Sequence, residues 1–179
     1  DHDIGMAAAR LHVGTSGWSY AHWGKGRFYP KGLRQGEWLK YYSGQFSTVE
    51  VNSSFYHLPR AEVVERWREV TGEGFLFAVK LWRRITHEKK LADCSEELSV
   101  FLAAVEGFGP KRGPLLIQLP PGMGCDVARL DAFLTELDRQ TTGRRWRVTV
   151  EFRNESWLND EVYEEIGRAS CRERVYHPV

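Results

Sequence analysis

The sequence predicts an α/β fold of the (β/α)8 barrel type, with about five of the eight β/α units present. Five short apolar segments read as strands, and each ends in polar residues that a buried core disfavours. Amphipathic helical patterns lie between them, which favours right-handed β-α-β units and a parallel sheet. The segments are separated by gaps of about 37, 27, 40 and 32 residues, near the roughly 31 residues per unit of a barrel.

The predicted elements alternate along the chain. The strands are expected within residues 11–18, 48–56, 75–80, 114–121 and 146–153. Apolar residues recur at helical spacing within residues 35–44, 61–69, 95–107, 126–139 and 159–166, which predicts the intervening helices. Because the carboxyl ends of parallel strands meet at one edge of the sheet, the polar residues that end the strands are expected to form a site there.

Composition narrows the classes of function. The chain has 179 residues, 42% of them hydrophobic, and a formal net charge of +1. This charge gives no global attraction to nucleic acid or membrane, and no apolar run approaches the roughly 20 residues of a membrane-spanning helix. Cys94, Cys125 and Cys171 are widely spaced and odd in number, which favours neither a metal knuckle nor a disulfide framework and is consistent with a cytoplasmic protein.

Two pairs of polar residues share a strand face because they are two positions apart. Glu50 and Asn52 form the first pair, and Glu50 is expected to be an acid/base group, a metal ligand or the partner of a cation. Glu151 and Arg153 form the second. They either make a structural ion pair or hold an anionic or hydroxylated substrate, since a guanidinium offers a planar fork of donors.

Lys80 ends the third predicted strand and starts a basic loop. Its amine is suited to neutralising a carboxylate, binding phosphate or, least favourably, forming a Schiff base. Five Lys or Arg residues lie within residues 80–90 together with Trp82. This composition suits phosphates and a stacked base, although a solvated basic loop is the commoner explanation. His87 in this loop is a candidate acid/base group or metal ligand.

Other strand ends carry weaker signals. Gln118 ends the fourth strand before a Pro-Pro pair, and Trp157 is a candidate lid or stacking surface, or equally a core residue. If a metal binds, Glu50, Glu151 and His87 are the expected ligands, although no metal or cofactor is defined by any motif.

Seven motifs in this order resemble the DUF72 (YecE-like) family of bacteria and archaea. They lie within residues 14–20, 23–30, 46–56, 77–80, 85–87, 116–121 and 150–157; the second reads Trp-Gly-Lys-Gly-Arg-Phe-Tyr-Pro and the last Val-Glu-Phe-Arg-Asn-Glu-Ser-Trp. The resemblance implies a TIM-type barrel without a known reaction. It places a site at the carboxyl-terminal barrel face, where we expect catalytic Glu50, Glu151, Lys80 and His87, and substrate-binding Trp18, Asn52, Tyr56, Gln118, Arg153 and Trp157.

The resemblance also defines the expected domain limits. Residues 1–10 are expected to be a disordered lead-in, residues 11–166 a partial barrel, and residues 167–179 a tail outside the family, either a basic arm or foreign sequence. Members of the family continue through three more strands. We therefore expect a truncated barrel in which strands one and five are open edges, available for self-association.

Three hypotheses of function follow. The leading one is a barrel enzyme acting on a small polar, sugar-like or phosphorylated substrate. The second is binding or processing of nucleic acid on the same face, by analogy with metal-dependent endonuclease barrels. The third is a non-catalytic barrel that binds a small polar ligand.

Overall fold

A computed structural model describes residues 11–143, 146–168 and 173–176. Its centre is one parallel sheet of six strands that pair in chain order. The strands are β1 (Gly14–Ser16), β2 (Thr48–Val51), β3 (Leu76–Lys80), β4 (Arg112–Gln118), β5 (Val148–Phe152) and β6 (Glu173–Tyr176).

Helices connect the strands. They are α1 (Trp38–Ser43), α2 (Ser53–Tyr56), α3 (Ala61–Val70), α4 (Ser95–Val105), α5 (Val127–Gln140) and α6 (Asp160–Arg168). Short 3₁₀ segments lie at Ala21–Trp23, Gln35–Glu37, Glu106–Lys111 and Glu155–Trp157, and a π-helical turn spans Arg84–Glu88. In the described part of the chain, no helix is both long enough and apolar enough to cross a membrane.

The order of the strands identifies the winding. A doubly wound sheet reverses its strand order at a switch point, whereas this sheet adds every new strand on the same side. Because right-handed crossovers in a constant direction place their helices on one face, this is the winding of a (β/α) barrel. The predicted fold class is therefore confirmed as an α/β, partial-barrel type.

The two faces of the sheet differ in burial. In β2 and β3, Val49, Val51, Phe77 and Val79 are fully buried. The residues between them, such as Lys80, are partly exposed. This alternation places an apolar layer under the helices and leaves the other face open to polar side chains. All five residues of β5 are buried.

The structure adds a sixth strand to the five that the sequence predicts. The chain after residue 167 carries no apolar periodicity, yet Glu173–Tyr176 pairs in parallel with β5, with Glu151 opposite Val175. Among the described strands the sheet edges are therefore β1 and β6, not β1 and β5. Four residues are too few for a periodic signal, so this strand is recognisable only by its pairing. Self-association through the edges stays a prediction.

Two element boundaries also differ from expectation. The predicted second strand, residues 48–56, ends at Val51, and the chain then turns into α2. The fifth strand ends at Phe152, so that Arg153 lies just beyond it. Apolar residues such as Phe55 continue past both strands, and periodicity alone does not mark the change of backbone conformation.

A tyrosine on α1 ties the edge strand to the sheet. The Tyr42 side chain is fully buried, and its hydroxyl accepts a hydrogen bond from the Thr15 backbone N–H at 2.8 Å. The same hydroxyl donates to the Thr48 carbonyl at 3.1 Å. β1 has only three residues, so this link from α1 to β1 and β2 fixes the strand that precedes the site.

We predict that Tyr42→Phe lowers the free energy of unfolding by about 1–3 kcal/mol, because the Thr15 N–H loses its partner in a part-buried position. Urea denaturation measures the change. The matched control is Tyr41→Phe, on the neighbouring half-buried tyrosine of α1, which should change stability by less than about 0.5 kcal/mol. Equal effects of the two substitutions would contradict a specific role for the Tyr42 hydroxyl.

Candidate functional site

The parallel register brings the strand-end residues into neighbouring positions. Ser16 at the end of β1 is opposite Glu50 of β2. Gln118 at the end of β4 is opposite Glu151 of β5. Lys80 ends β3, between these two pairs. The predicted site at the carboxyl edge of the sheet therefore has a geometric basis in the strand pairing.

Glu50 and Asn52 meet through a serine from the first strand. The Ser16 hydroxyl donates to Glu50 Oε1 at 3.1 Å, and Asn52 Nδ2 donates to the Ser16 hydroxyl at 2.6 Å. The chain enters α2 directly after Asn52, yet the Asn52 side chain does not cap that helix. Its amide instead takes part in a chain of polar groups across β1 and β2.

Glu151 and Arg153 form an ion pair. Arg153 Nε donates to Glu151 Oε1 at 2.7 Å, and the Glu151 side chain is only 9% exposed. A charge-assisted hydrogen bond of this length compensates part of the cost of burying the carboxylate. The fold therefore contains the structural ion pair that the sequence allowed. This pair also holds the Arg153 guanidinium at the site.

Lys80 connects the two groups electrostatically. Its Nζ lies 4.8 Å from the centroid of the Phe55 ring, a cation–π contact with α2. Burial lowers the pKa of the Lys80 amine, while the carboxylates of Glu50 and Glu151 oppose the shift and Arg153 adds to it. Two carboxylates and two cations therefore act on one another at this edge.

His87 lies beside the same cations. The π-helical turn after β3 carries it, its Nδ1 is hydrogen-bonded to the Thr86 hydroxyl at 2.8 Å, and its ring meets Phe55 edge-on at 4.9 Å. Burial lowers the pKa of His87 below 6.5, and the charges of Lys80, Arg83 and Arg153 lower it further. These effects favour the neutral form of the imidazole.

Gln118, Trp18 and Tyr56, three further predicted site residues, differ in burial. Gln118 is buried in β4 beside Glu151, and Trp18 follows β1 and packs edge-on against Trp67 at 5.0 Å. Tyr56 is 57% exposed on α2. A binding role for these three residues stays a prediction.

Trp157 is a core residue. It is fully buried, stacks on Phe152 at 5.3 Å and donates its indole N–H to the Met123 carbonyl at 2.8 Å. A ring so enclosed has no free face for a ligand. The structure thus favours core packing over the lid or stacking surface that the sequence also allowed.

The proposed metal ligands are not gathered. Across residues 11–143, 146–168 and 173–176, no three His, Cys, Asp or Glu side chains lie together in a group that could hold a metal ion. Glu50 and Glu151 belong to separate hydrogen-bond groups, and the His87 Nδ1 is engaged with Thr86. The set Glu50, Glu151 and His87 therefore has no preformed metal geometry.

Acidic partners offset much of the positive charge of the basic loop. Arg84 and Lys89 both contact the Glu97 carboxylate, at 3.3 and 2.9 Å, and Arg83 contacts Glu88 at 3.4 Å. The Lys89 ammonium holds the pKa of Glu97 below its usual range. Arg84 and Lys89 tie the loop to α4, and the Arg83 pair lies within the loop, so three of its five cations have acidic partners.

Sequence reasoning missed two members of the site. Ser16 is not among the predicted site residues, yet it bridges Glu50 and Asn52. Phe55 was placed in a strand, yet it contacts both Lys80 and His87. Parallel pairing of β1 with β2 would have placed Ser16 beside Glu50. The position of Phe55 depends on α2, which the sequence pattern did not predict.

A family model described as "Protein of unknown function DUF72" matches residues 12–175, so it extends past the expected limit at residue 166. YecE of Escherichia coli strain K12 is 34% identical over 115 residues, covering 64% of this chain and 39% of YecE. YunF of Bacillus subtilis strain 168 is 28% identical over 161 residues, covering 87% of this chain and 55% of YunF.

Solved structures of the family share the fold. A DUF72 protein of Thermotoga maritima matches with a TM-score of 0.75 and 28% identity, covering 90% of this chain and 63% of that one. A second, from Enterococcus faecalis, matches with a TM-score of 0.64 at 21% identity, over 75% of this chain and 52% of that one. The chain spans about half the length of the curated relatives that it matches.

We predict that Lys80→Met raises the pKa of His87 towards 6.5, because it removes the largest charge that opposes protonation of the imidazole. NMR titration of the imidazole C–H protons measures the shift, with His87→Gln for assignment. Native His87 binds its proton less readily than the unfolded chain, so its contribution destabilises the fold as the pH falls below 6.5.

The control for this titration is Lys40→Met, at an exposed lysine on α1. It should leave the pKa of His87 unchanged. A His87 pKa that responds to neither substitution would contradict the placement of Lys80 beside the imidazole.

Proposed function

The chain belongs to the DUF72 family, and we propose that it carries the site of an enzyme that transfers protons to and from a small polar substrate, sugar-like or phosphorylated. The observation that carries the proposal is the mixed-charge cluster of Glu50, Lys80, Glu151 and Arg153 at the carboxyl edge of a barrel-type sheet. In barrels of known activity the site lies at this edge.

The cations would anchor the substrate. Lys80 ends β3 in a half-buried position, and Arg153 is held by Glu151 through Nε. In this proposal the Nη groups of Arg153 and the Lys80 ammonium bind phosphate or hydroxyl oxygens, since a guanidinium presents further donors in a planar fork. Partial burial strengthens these contacts relative to water.

Glu50 would exchange the proton. Its Oε1 accepts a hydrogen bond from Ser16 at 3.1 Å, which orients the carboxylate. An oriented carboxylate is a suitable general base, and its conjugate acid returns the proton. In this proposal Glu151 and His87 assist in binding and in proton transfer.

Nucleic-acid binding is the weaker candidate. Phosphate backbones need uncompensated cations along a surface, whereas Arg83, Arg84 and Lys89 are paired with glutamates. A cytoplasmic location is part of the proposal, supported by the unpaired thiols of Cys94 and Cys125.

The test is Glu50→Gln in an assay that detects proton transfer to carbon and bond cleavage alike. The protein is incubated in D₂O with a panel of sugars and sugar phosphates, and proton NMR follows deuterium incorporation and new products. We expect turnover by the wild type and a loss of roughly 10²–10⁴-fold in Glu50→Gln, the usual contribution of a general acid–base group.

The matched control is Glu69→Gln, at an exposed glutamate on α3, which should retain full turnover. Undiminished turnover in Glu50→Gln would overturn the role of Glu50. Ligand binding without turnover across the panel would overturn the enzyme and favour the non-catalytic binding barrel.

A further inference from the structure

An open pocket of about 440 Å³ lies next to the polar cluster. Three aromatic residues line it, Trp18, Tyr20 and Trp67. The rest of the lining is small, Gly17, Ser19, Asn52 and Ser53. The volume is within the range of small-molecule sites, and aromatic walls with a few polar groups are typical of them.

The aromatic walls are fixed by the surrounding fold. Trp18 packs edge-on against Trp67 at 5.0 Å, and Trp67 in turn stacks on buried Phe108. The Trp18 carbonyl accepts a hydrogen bond from the Tyr29 hydroxyl at 2.5 Å, and the Tyr20 hydroxyl bonds the Ser16 carbonyl. The pocket is therefore preformed, which lowers the entropic cost of binding.

Gly17 is required by this arrangement. Its φ is +80°, a backbone conformation that other residues rarely adopt, and a Cβ there would lie 2.8 Å from the Tyr20 hydroxyl. Its N–H also donates to the Glu50 carbonyl at 2.9 Å. The tight turn thus places the aromatic wall directly beside the strand that carries Glu50.

Asn52 belongs to both the pocket and the polar cluster. It lines the pocket, and its Nδ2 donates to the Ser16 hydroxyl that contacts Glu50. A ligand in the pocket would therefore lie directly beside the polar groups around Glu50. The hydroxyl of Ser19, which accepts from Gln35 at 2.8 Å, and that of Ser53 add hydrogen-bonding groups at the pocket wall.

We propose that this pocket binds the ring of a sugar, with an apolar C–H face against Trp18 and ring hydroxyls on Asn52, Ser19 and Ser53. A flat ring with an apolar face and a polar edge matches a lining of this kind, in which one side is aromatic and the other carries an amide and hydroxyls. The inference rests on the proposed function, because it names the ring to which the reacting group is attached.

The test separates the ring pocket from the anion anchor. Saturation-transfer NMR measures binding of neutral probes, the methyl glycosides of glucose, galactose and ribose, and calorimetry measures binding of inorganic phosphate. We expect the wild type to bind at least one glycoside. Trp18→Leu should weaken that binding about tenfold and leave phosphate unchanged, whereas Lys80→Met should weaken phosphate binding alone.

Two further variants complete the design. Trp82→Leu is the matched control, a half-buried tryptophan outside the pocket, and should bind the glycosides normally. Ser53→Leu places bulk at an exposed position of the pocket wall and should block the glycosides even if Trp18→Leu impairs folding.

The outcomes are distinguishable. Absence of glycoside binding to the wild type, or glycoside binding that both pocket variants leave intact, overturns the sugar pocket. Adenosine is added as a further probe, and its binding at Trp18 in preference to all the glycosides would overturn the sugar pocket in favour of a base-binding pocket. Glycoside binding that depends on Trp18, without phosphate binding or turnover, supports the pocket and overturns the proposed enzyme.

Discussion

Parallel pairing of the strands in chain order is the constraint on which the site depends. Each strand must end at the same edge of the sheet, so residues separated by about 35 positions in sequence become neighbours, as Ser16 and Glu50 do. Hydrogen bonds between strands fix this register, and a slip of one residue would turn the polar side chains of β2 and β3 into the apolar layer under the helices. The short β1 is the most vulnerable strand, which explains why a buried tyrosine from α1 secures it.

The charges at the edge are mutually dependent. A partly buried lysine is unfavourable without nearby carboxylates, and Glu50 and Glu151 supply them from strands on both sides of β3. Arg153 neutralises Glu151 in turn. The two carboxylates and two cations of this group balance one another, and together they present hydrogen-bond donors and acceptors within a small space. This arrangement suits a small polar substrate better than a uniformly charged polymer. The adjacent aromatic pocket adds the apolar surface that the charged cluster lacks.

Much of this arrangement was predictable because it follows from two periodicities. Alternation along β2 and β3 separated Glu50 and Lys80 from the core residues Val49 and Val79, and the helical patterns located α3, α4 and α5 close to their observed bounds. Contacts that depend on loop conformation were not predictable. The burial of Trp157 and the pairing of the basic loop with Glu97 require the three-dimensional path of the chain, and β6 has no sequence pattern apart from its pairing partner.

The central claim is that Glu50, Lys80 and Glu151 share one electrostatic environment. The most direct measurement is the pKa of the Lys80 amine, by NMR of its labelled Cε, in the wild type and in Glu50→Gln. We predict a wild-type value below the ordinary 10.5 and a further decrease in Glu50→Gln, since a carboxylate that favours the charged amine is removed. A wild-type value of 10.5 or above that does not respond to Glu50→Gln would contradict the account.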